Sequence, residues 1–160
     1  MGFFNKDPNA LLVQTVSNLP SGKELDIAMG EGRNAVWLAT KGWPVTGFDI
    51  SDEALQQAEE RARKAGVTIK AIKAASVTFD YGHERWDLIV MSCAFTPVPD
   101  AGYIARLRDS LKPGGLLVFP FFVLTTQVIV RVLTLVQVIA SAELLGYGKS
   151  LPSSIQLYSL

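Results

Sequence analysis

Two glycines and two carboxylates near the start of the chain stand at spacings that suit the binding of an adenosine group. Gly30-Glu31-Gly32-Arg33-Asn34-Ala35 has the form G-x-G-x-x-A. Glycines so placed let the backbone turn sharply and approach a ligand closely. Taken alone, the run also fits an ordinary tight turn from strand to helix. Asp49 adds to it. It ends the next apolar run, where a carboxylate can accept hydrogen bonds from both hydroxyls of a ribose. Capping the following helix is its alternative duty, but Ser51 is better placed for that.

Asp26 narrows the choice of adenosine ligand. It stands in the apolar run that leads into Gly30. A dinucleotide would set its pyrophosphate at this loop, against the N-terminus of the next helix, and a carboxylate beside it would repel that anion. S-adenosylmethionine instead brings an ammonium, a sulfonium and a carboxylate. Asp26 can serve the ammonium, while the helix N-terminus, Arg33 and Asn34 can serve the carboxylate. A carboxylate bonded to loop amides is the plainer role for Asp26, and the two are compatible. Methyl transfer from a sulfonium needs an aligned nucleophile and exclusion of water more than a fixed acid or base, and no catalytic motif stands out. His83 reads as a solvated loop histidine and Cys93 as a small core residue. Tyr81 and Tyr103 are ambiguous. Acceptor contacts are expected from Phe3-Phe4, from Thr96 to Pro99 and from the segment after Phe122.

The elements that must position these residues follow one another regularly. Asp7-Pro8 reads as the N-cap and first residue of a helix to about Asn18. Glu24 to Ala28 reads as a short buried strand, Arg33 to Lys41 as a helix ended by Gly42, and Val45 to Ile50 as a second strand. Ser51 caps a helix over Asp52 to Ala65, stopped by Gly66. Val67 to Ile72 and Trp86 to Ser92 read as the third and fourth strands. A helix over Ala101 to Leu111, capped by Asp100, leads through the turn Lys112-Pro113-Gly114-Gly115 into a fifth strand, Leu116 to Phe122. The strands are continuous apolar runs, the mark of a parallel sheet covered on both faces. The expected fold is therefore α/β, a Rossmann-like doubly wound sheet. Such sheets bind ligands at the carboxyl ends of their strands, where strand order reverses, and the Gly30 loop marks that place.

Leu25-Asp26-Ile27-Ala28-Met29-Gly30-Glu31-Gly32-Arg33-Asn34-Ala35 resembles the glycine motif of the class I S-adenosylmethionine-dependent methyltransferases. Val45-Thr46-Gly47-Phe48-Asp49-Ile50-Ser51 resembles their second motif. Trp86-Asp87-Leu88-Ile89-Val90 resembles their fourth-strand motif, and Leu111-Lys112-Pro113-Gly114-Gly115-Leu116-Leu117 the turn before their fifth strand. Order and spacing agree together, over about Phe3 to Phe122. The Gly32-Arg33-Asn34 form, with Leu38-Ala39 and Gly42, is similar to the tellurite-resistance and thiopurine-type branch, whose members methylate small, often soft nucleophiles. The resemblance implies that Gly30 and Gly32 admit the methionine portion, Asp26 holds its amino group and Asp49 the ribose. It implies that Ile50 packs on adenine, that Ser76 lies near the adenine edge, and that Met91 and Ser92 line the methionine part. Two positions depart from the pattern. Ala28 stands at a cofactor-binding position where glycine is usual, so its methyl would crowd the ligand. Ala75-Ser76 stands where an acid is common, so adenine would lean on backbone groups.

Composition bounds the rest. With 49% hydrophobic and 19% charged residues the chain has a core to bury. Fifteen basic and fifteen acidic residues balance, and no basic block stands out, which argues against nucleic acid held by bulk charge. A single cysteine rules out an internal disulfide and fits a cytoplasmic home. Met1 to Pro8 does not read as a signal peptide, and no metal site is expected. Residues 1–124 read as the S-adenosylmethionine-binding core and 125–160 as an atypical tail of the same domain. Between Leu116 and Ala142 Arg131 is the one charged side chain. Thr125 to Leu145 reads as an apolar helix that covers the sheet and pairs with a second copy, or touches a membrane, with Arg131 arguing against a span; its β-branched content also permits a strand. A tail foreign to the fold is the competing expectation. Ser154 to Leu160 reads as one last strand, leaving the sheet incomplete at its C-terminal strands. The expected function is methyl transfer from S-adenosylmethionine to a small-molecule acceptor. The alternatives are a catalytically silent cofactor-binding or interaction domain, and a nicotinamide-dependent oxidoreductase, against which Asp26 and the Lys-Pro-Gly-Gly turn both stand.

Overall fold

A computed structural model describes residues 7–91, 101–118 and 123–125. Four helices, α1 (Ala10–Val16), α2 (Arg33–Thr40), α3 (Asp52–Lys64) and α4 (Ala101–Ser110), interleave with six strands. These are β1 (Glu24–Ile27), β2 (Val45–Asp49), β3 (Lys70–Lys73), β4 (Trp86–Met91), β5 (Leu111–Val118) and β6 (Val123–Thr125). The strands form one sheet in the order β3-β2-β1-β4-β5-β6. The first five strands are parallel, and β6 is antiparallel to β5. Strand order reverses between β1 and β4, whose last residues Ile27 and Met91 are register partners.

Both faces of the sheet are covered, which is why β4 reads as a largely apolar run; the neighbouring β1, Glu24-Leu25-Asp26-Ile27, departs from that pattern. Leu25, Ile27, Phe48, Ile89, Met91 and Leu117 pack with Tyr103 and Leu107 of α4. The opposite face sets Val45, Leu88, Val90 and Val118 against Leu12 and Val16 of α1, Ala35 and Leu38 of α2, and Leu55 and Ala58 of α3.

Several boundaries differ from those the sequence suggests. The N-cap of α1 is Asn9, not Asp7, and Pro8 lies before the helix. The Asn9 side chain accepts the Leu12 N–H at 3.1 Å. Its own N–H donates to the Asn34 side chain at 2.9 Å, which fixes where α1 starts relative to α2. The third strand starts at Lys70 and not at Val67. The Val67 N–H instead donates to the Ala62 carbonyl at 3.0 Å, closing the end of α3 around Gly66, whose φ is +68°. Lys112 to Gly115 is not a turn ahead of the fifth strand. Leu111 already pairs with Trp86, and the register shifts before Leu116 meets Leu88, so the four residues form a bulge inside β5. Gly115 has no room for a side chain there. A Cβ would stand 2.9 Å from the Lys112 oxygen and 3.1 Å from that of Trp86. Val123 pairs antiparallel with Val118, and Thr125 with Leu116. That pairing places Thr125 in a strand, not at the start of a helix. The end of the expected fifth strand at 119–122, the remainder of the expected 125–145 helix, the strand expected at Ser154 to Leu160, Ser92, Cys93, Asp100 and the acceptor segments lie outside the described residues.

β1 holds an unusual pair. Glu24 and Asp26 alternate with Leu25 and Ile27 and so face the α1–α3 side. Both are fully buried, and none of their four carboxylate oxygens has a hydrogen-bond partner. Glu24 is flanked by Val45 on β2 and Leu88 on β4. Burial, and then the neighbouring Asp26, hold its carboxyl well above the usual glutamate range. The consequence for stability has a definite sign. Below the unfolded value of about 4.3 both states carry the proton and no penalty arises. As pH rises past it the unfolded chain ionises freely while the folded one resists, so stability falls until the folded carboxyl also titrates. Replacing Glu24→Val is expected to stabilise the protein at pH 8 by about 1–3 kcal/mol in urea unfolding, and by less at pH 5. An equal gain at both pH values would show that the carboxyl proton plays no part.

Candidate functional site

The carboxyl ends of β1, β2 and β4 meet where strand order reverses, and the loop leaving β1 crosses that point. Ala28, Gly30 and Gly32 have φ of +52°, +55° and +73°. Alternate residues therefore sit in the left-handed region, which glycine enters freely and an alanine enters at a cost of about 1 kcal/mol. Glycine is usual in the resembled motif at position 28 for this backbone reason. Gly32 caps α2, its carbonyl accepting the Val36 N–H at 2.8 Å. A Cβ on Gly32 would lie 2.8 Å from the Ala58 Cβ, so the loop rests directly on α3. Gly30 is different. Nothing lies within 4 Å of where its Cβ would be, which leaves space beside the loop.

Asp49, the last residue of β2, holds this loop in place. One carboxylate oxygen accepts the Gly30 N–H at 2.9 Å and the other accepts the Ser51 N–H at 2.9 Å. A carboxylate offers about four acceptor positions, so each oxygen keeps one for a ligand. Ser51 caps α3 by accepting the Ala54 N–H at 3.2 Å, which relieves Asp49 of that duty.

Asp26 lies beneath the loop and is wholly buried. Burial is the main cause that raises its carboxyl to about 7; the Ala35 amide and the Arg33 guanidinium oppose the rise, and Asp49 adds to it. Arg33 opens α2. Asn34 is also buried, its carbonyl oxygen taken by the Asn9 N–H while its amide nitrogen has no partner. Met91 sits opposite Ile27 with its side chain buried in the core.

A second loop completes the edge. The Ala74 N–H donates to the Asp49 carbonyl at 3.1 Å, so the chain leaving β3 starts beside Asp49. The Ser76 carbonyl accepts the Tyr81 hydroxyl at 3.0 Å. Ile50 is 70% exposed and Val77 75% exposed. These two large apolar side chains follow β2 and β3 and face water at the same edge of the sheet. Val77 has no place in the resembled motifs; its signal in the sequence is an apolar residue next to Ser76.

The structure thus gathers Asp26, Ala28, Gly30, Gly32, Arg33, Asp49, Ile50 and Ser76 at one edge. Asn34 and Met91 reach it with their side chains turned inward. His83 does not reach it. It is exposed in the loop that enters β4, where the Glu84 and Arg85 N–H groups pair with the Asp109 and Ser110 carbonyls, at the amino end of the strand.

Comparison with known proteins agrees with this geometry. A family described as a methyltransferase domain matches residues 25–115. The chain is 30% identical over 110 residues to a ubiquinone biosynthesis O-methyltransferase of Methylococcus capsulatus, covering 67% of this chain and 46% of that one. It is 33% identical over 95 residues to a protein of the same name from Saccharophagus degradans, covering 58% and 40%. Among solved structures, YjhP from E. coli is similar at a TM-score of 0.62 and 28% identity, covering 72% of this chain and 49% of that one. A structure concerned with conversion of a disulfide bond into a thioacetal group during echinomycin biosynthesis is similar at 0.61 and 28%, covering 71% and 48%. The chain spans about half the length of the curated relatives it matches. The matched stretch takes in most of β1, the glycine loop, Asp49 and the bulge of β5, more than half of the chain, and the chain belongs to the methyltransferase domain family.

Proposed function

We propose that this chain binds S-adenosylmethionine and transfers its methyl group to a small-molecule acceptor. The observation that carries this reading is the buried, unpartnered Asp26 carboxylate beneath a loop whose Gly30 amide is held by Asp49. A buried carboxyl under the loop, only partly offset by Arg33 and the Ala35 amide, suits a ligand whose amino-acid end is cationic. It opposes a pyrophosphate, and with it a nicotinamide dinucleotide.

The residues fit the cofactor part by part. Asp49 keeps acceptor capacity for the two ribose hydroxyls. Ile50 and Val77 offer apolar surface for the two sides of adenine, and Ser76 lies toward its edge. The space beside Gly30, with Gly32, takes the methionine portion. Asp26 acts on the ammonium from below the loop, and Met91 supports that end from the core. Arg33 and the unmet amide nitrogen of Asn34 supply positive character for the carboxylate. When bound, S-adenosylmethionine supplies a methyl on a sulfonium, which leaves as a neutral thioether and needs no protonation. The chain's own task is then to orient the ligand and exclude water. Relatives named O-methyltransferases and a neighbour concerned with thioacetal formation point to an oxygen or sulfur nucleophile. A cytoplasmic setting, and self-association through residues 125–145, complete the proposal.

Titration calorimetry with S-adenosylhomocysteine and with NAD tests the cofactor, and turnover on phenols and thiols tests the acceptor class. Binding of NAD in preference to S-adenosylhomocysteine would overturn the reading. Asp49→Ala is expected to weaken S-adenosylhomocysteine binding by about 1–3 kcal/mol, because charged acceptors of the ribose are lost. Unchanged affinity in a folded variant would remove Asp49 from the site.

The Asp26 carboxyl gives the site a pH dependence. With a value of about 7 in the free protein, it is largely protonated at pH 6. An ammonium above it favours the ionised form, so binding drives a proton off. Affinity should rise by up to about tenfold per pH unit below 7 and level off above it. Calorimetry at pH 6.5 in buffers of different ionisation enthalpy should record net proton release, and Asp26→Asn should abolish it. Proton uptake, or none, would show that Asp26 does not sense the ligand's charge.

A further inference from the structure

The loop that carries Ser76 and Val77 is gripped from the core by two tyrosines. Tyr81 is buried, and its ring is fixed on several sides. It meets Phe48, Phe79 and Tyr103 edge to face at centroid distances of 6.2, 5.1 and 6.1 Å, and its carbonyl accepts the Trp86 indole N–H at 2.7 Å. The hydroxyl so positioned donates to the Ser76 carbonyl at 3.0 Å and lies 3.2 Å from the Tyr103 hydroxyl. The Ser76 side chain bears on that Tyr103 hydroxyl as well. Burial raises both phenols above the ordinary tyrosine range, so they act as neutral hydrogen-bonding groups throughout the working pH range.

The rest of the loop is held at its ends. Ala74 donates to the Asp49 carbonyl, while Thr78 and Phe79 fold back on the Ala75 carbonyl, each at 3.0 Å. Phe79 stacks on Phe48 at 4.4 Å. Among the described residues, the hydrogen bonds that tie Ser76 to the core come from the tyrosine pair. Tyr103 stands in the first turn of α4, so the loop's position is referred to a helix on the far side of the chain, not only to β3.

We propose that the Tyr81–Tyr103 hydroxyl pair is the positioning device for base selectivity, holding the Ser76 backbone so that its hydrogen-bonding pattern toward the nucleobase edge is fixed. This rests on the cofactor reading above. Adenine offers an amino donor at position 6 and an acceptor at N1. Hypoxanthine reverses both. A loop held rigidly in one arrangement pairs with one base and leaves groups unpaired against the other. A loop released from the hydroxyls can shift and accommodate either. The pattern matters here because Ala75-Ser76 offers no acidic side chain to read the amino group, so the discrimination falls on backbone geometry.

The test compares the affinities of S-adenosylhomocysteine and S-inosylhomocysteine by calorimetry, with thermal denaturation of every variant. Wild-type protein should favour the adenosine compound by about tenfold or more, and Tyr81→Phe, which keeps the ring, should lower that preference about 3–10-fold. Tyr103→Phe leaves the Tyr81–Ser76 bond and should lower it about twofold, which keeps the test informative if Tyr81→Phe does not fold. A purely structural role would lower the melting temperature or both affinities together and leave their ratio unchanged. An unchanged ratio in folded variants, or a wild type that binds both compounds equally, overturns the proposal while leaving the cofactor reading intact. A wild type that binds neither compound overturns the cofactor reading, and this proposal with it.

Discussion

The Asp49 carboxylate is the interaction on which the site depends. The loop after β1 runs through the left-handed region at Ala28, Gly30 and Gly32 and closes on itself through the Gly32 N–H to the Met29 carbonyl at 3.0 Å. It is tied down from β2, through Gly30 to Asp49 and through the Met29 N–H to the Phe48 carbonyl at 3.0 Å. Both ties follow from strand register, because Ile27 pairs with Phe48 and the loop therefore starts level with Asp49. The same carboxylate accepts the Ser51 amide and so also fixes the approach to α3. α3 in turn supports the loop from below, where Gly32 meets Ala58. A single side chain thus links two strands, a loop and a helix entry, and it still has acceptor capacity for a ligand.

β1 carries a cost that its neighbours relieve only in part. Two buried carboxylates without hydrogen bonds oppose folding. For Asp26 the opposition has a counterpart in the proposed function, since a buried carboxyl beneath the loop is what a cationic ligand would meet. Strain at Ala28 lies in the same loop. Glu24 has no such counterpart. It lies between Val45 and Leu88, and nothing in the structure explains an acid there.

The far side of the site is governed by packing. Phe48, Phe79, Tyr81 and Tyr103 belong to or pack against one aromatic group in the core between the sheet and α4. Phe48 is also the residue before Asp49. The core that stabilises the sheet therefore also sets the two edges between which a nucleoside would lie, with Ile50 on one and Val77 on the other. Core and site share residues, so their tolerances to substitution are coupled.

The sequence by itself determined most of the local elements and pointed to the candidate binding groups. Short strand-forming runs, the Ser51 cap, the glycines at 30 and 32 and the acid at 49 act over a few positions, and their preferences survive folding unchanged. The five parallel strands and the reversal point follow from that pattern. Where a boundary depended on a partner far along the chain, tertiary structure decided. Asn9 took the cap because Asn34 receives its amide, Val67 stayed with α3 because Ala62 offers a carbonyl, and Lys112 to Gly115 became a bulge because Leu111 and Leu116 pair with β4 on either side of it. Tyr81 and Tyr103 were ambiguous in sequence for the same reason. The Tyr81 hydroxyl meets Ser76 within one loop but meets the Tyr103 hydroxyl only after the fold brings that loop and α4 together, and hydrogen bonds of that kind leave no periodicity in the chain to read.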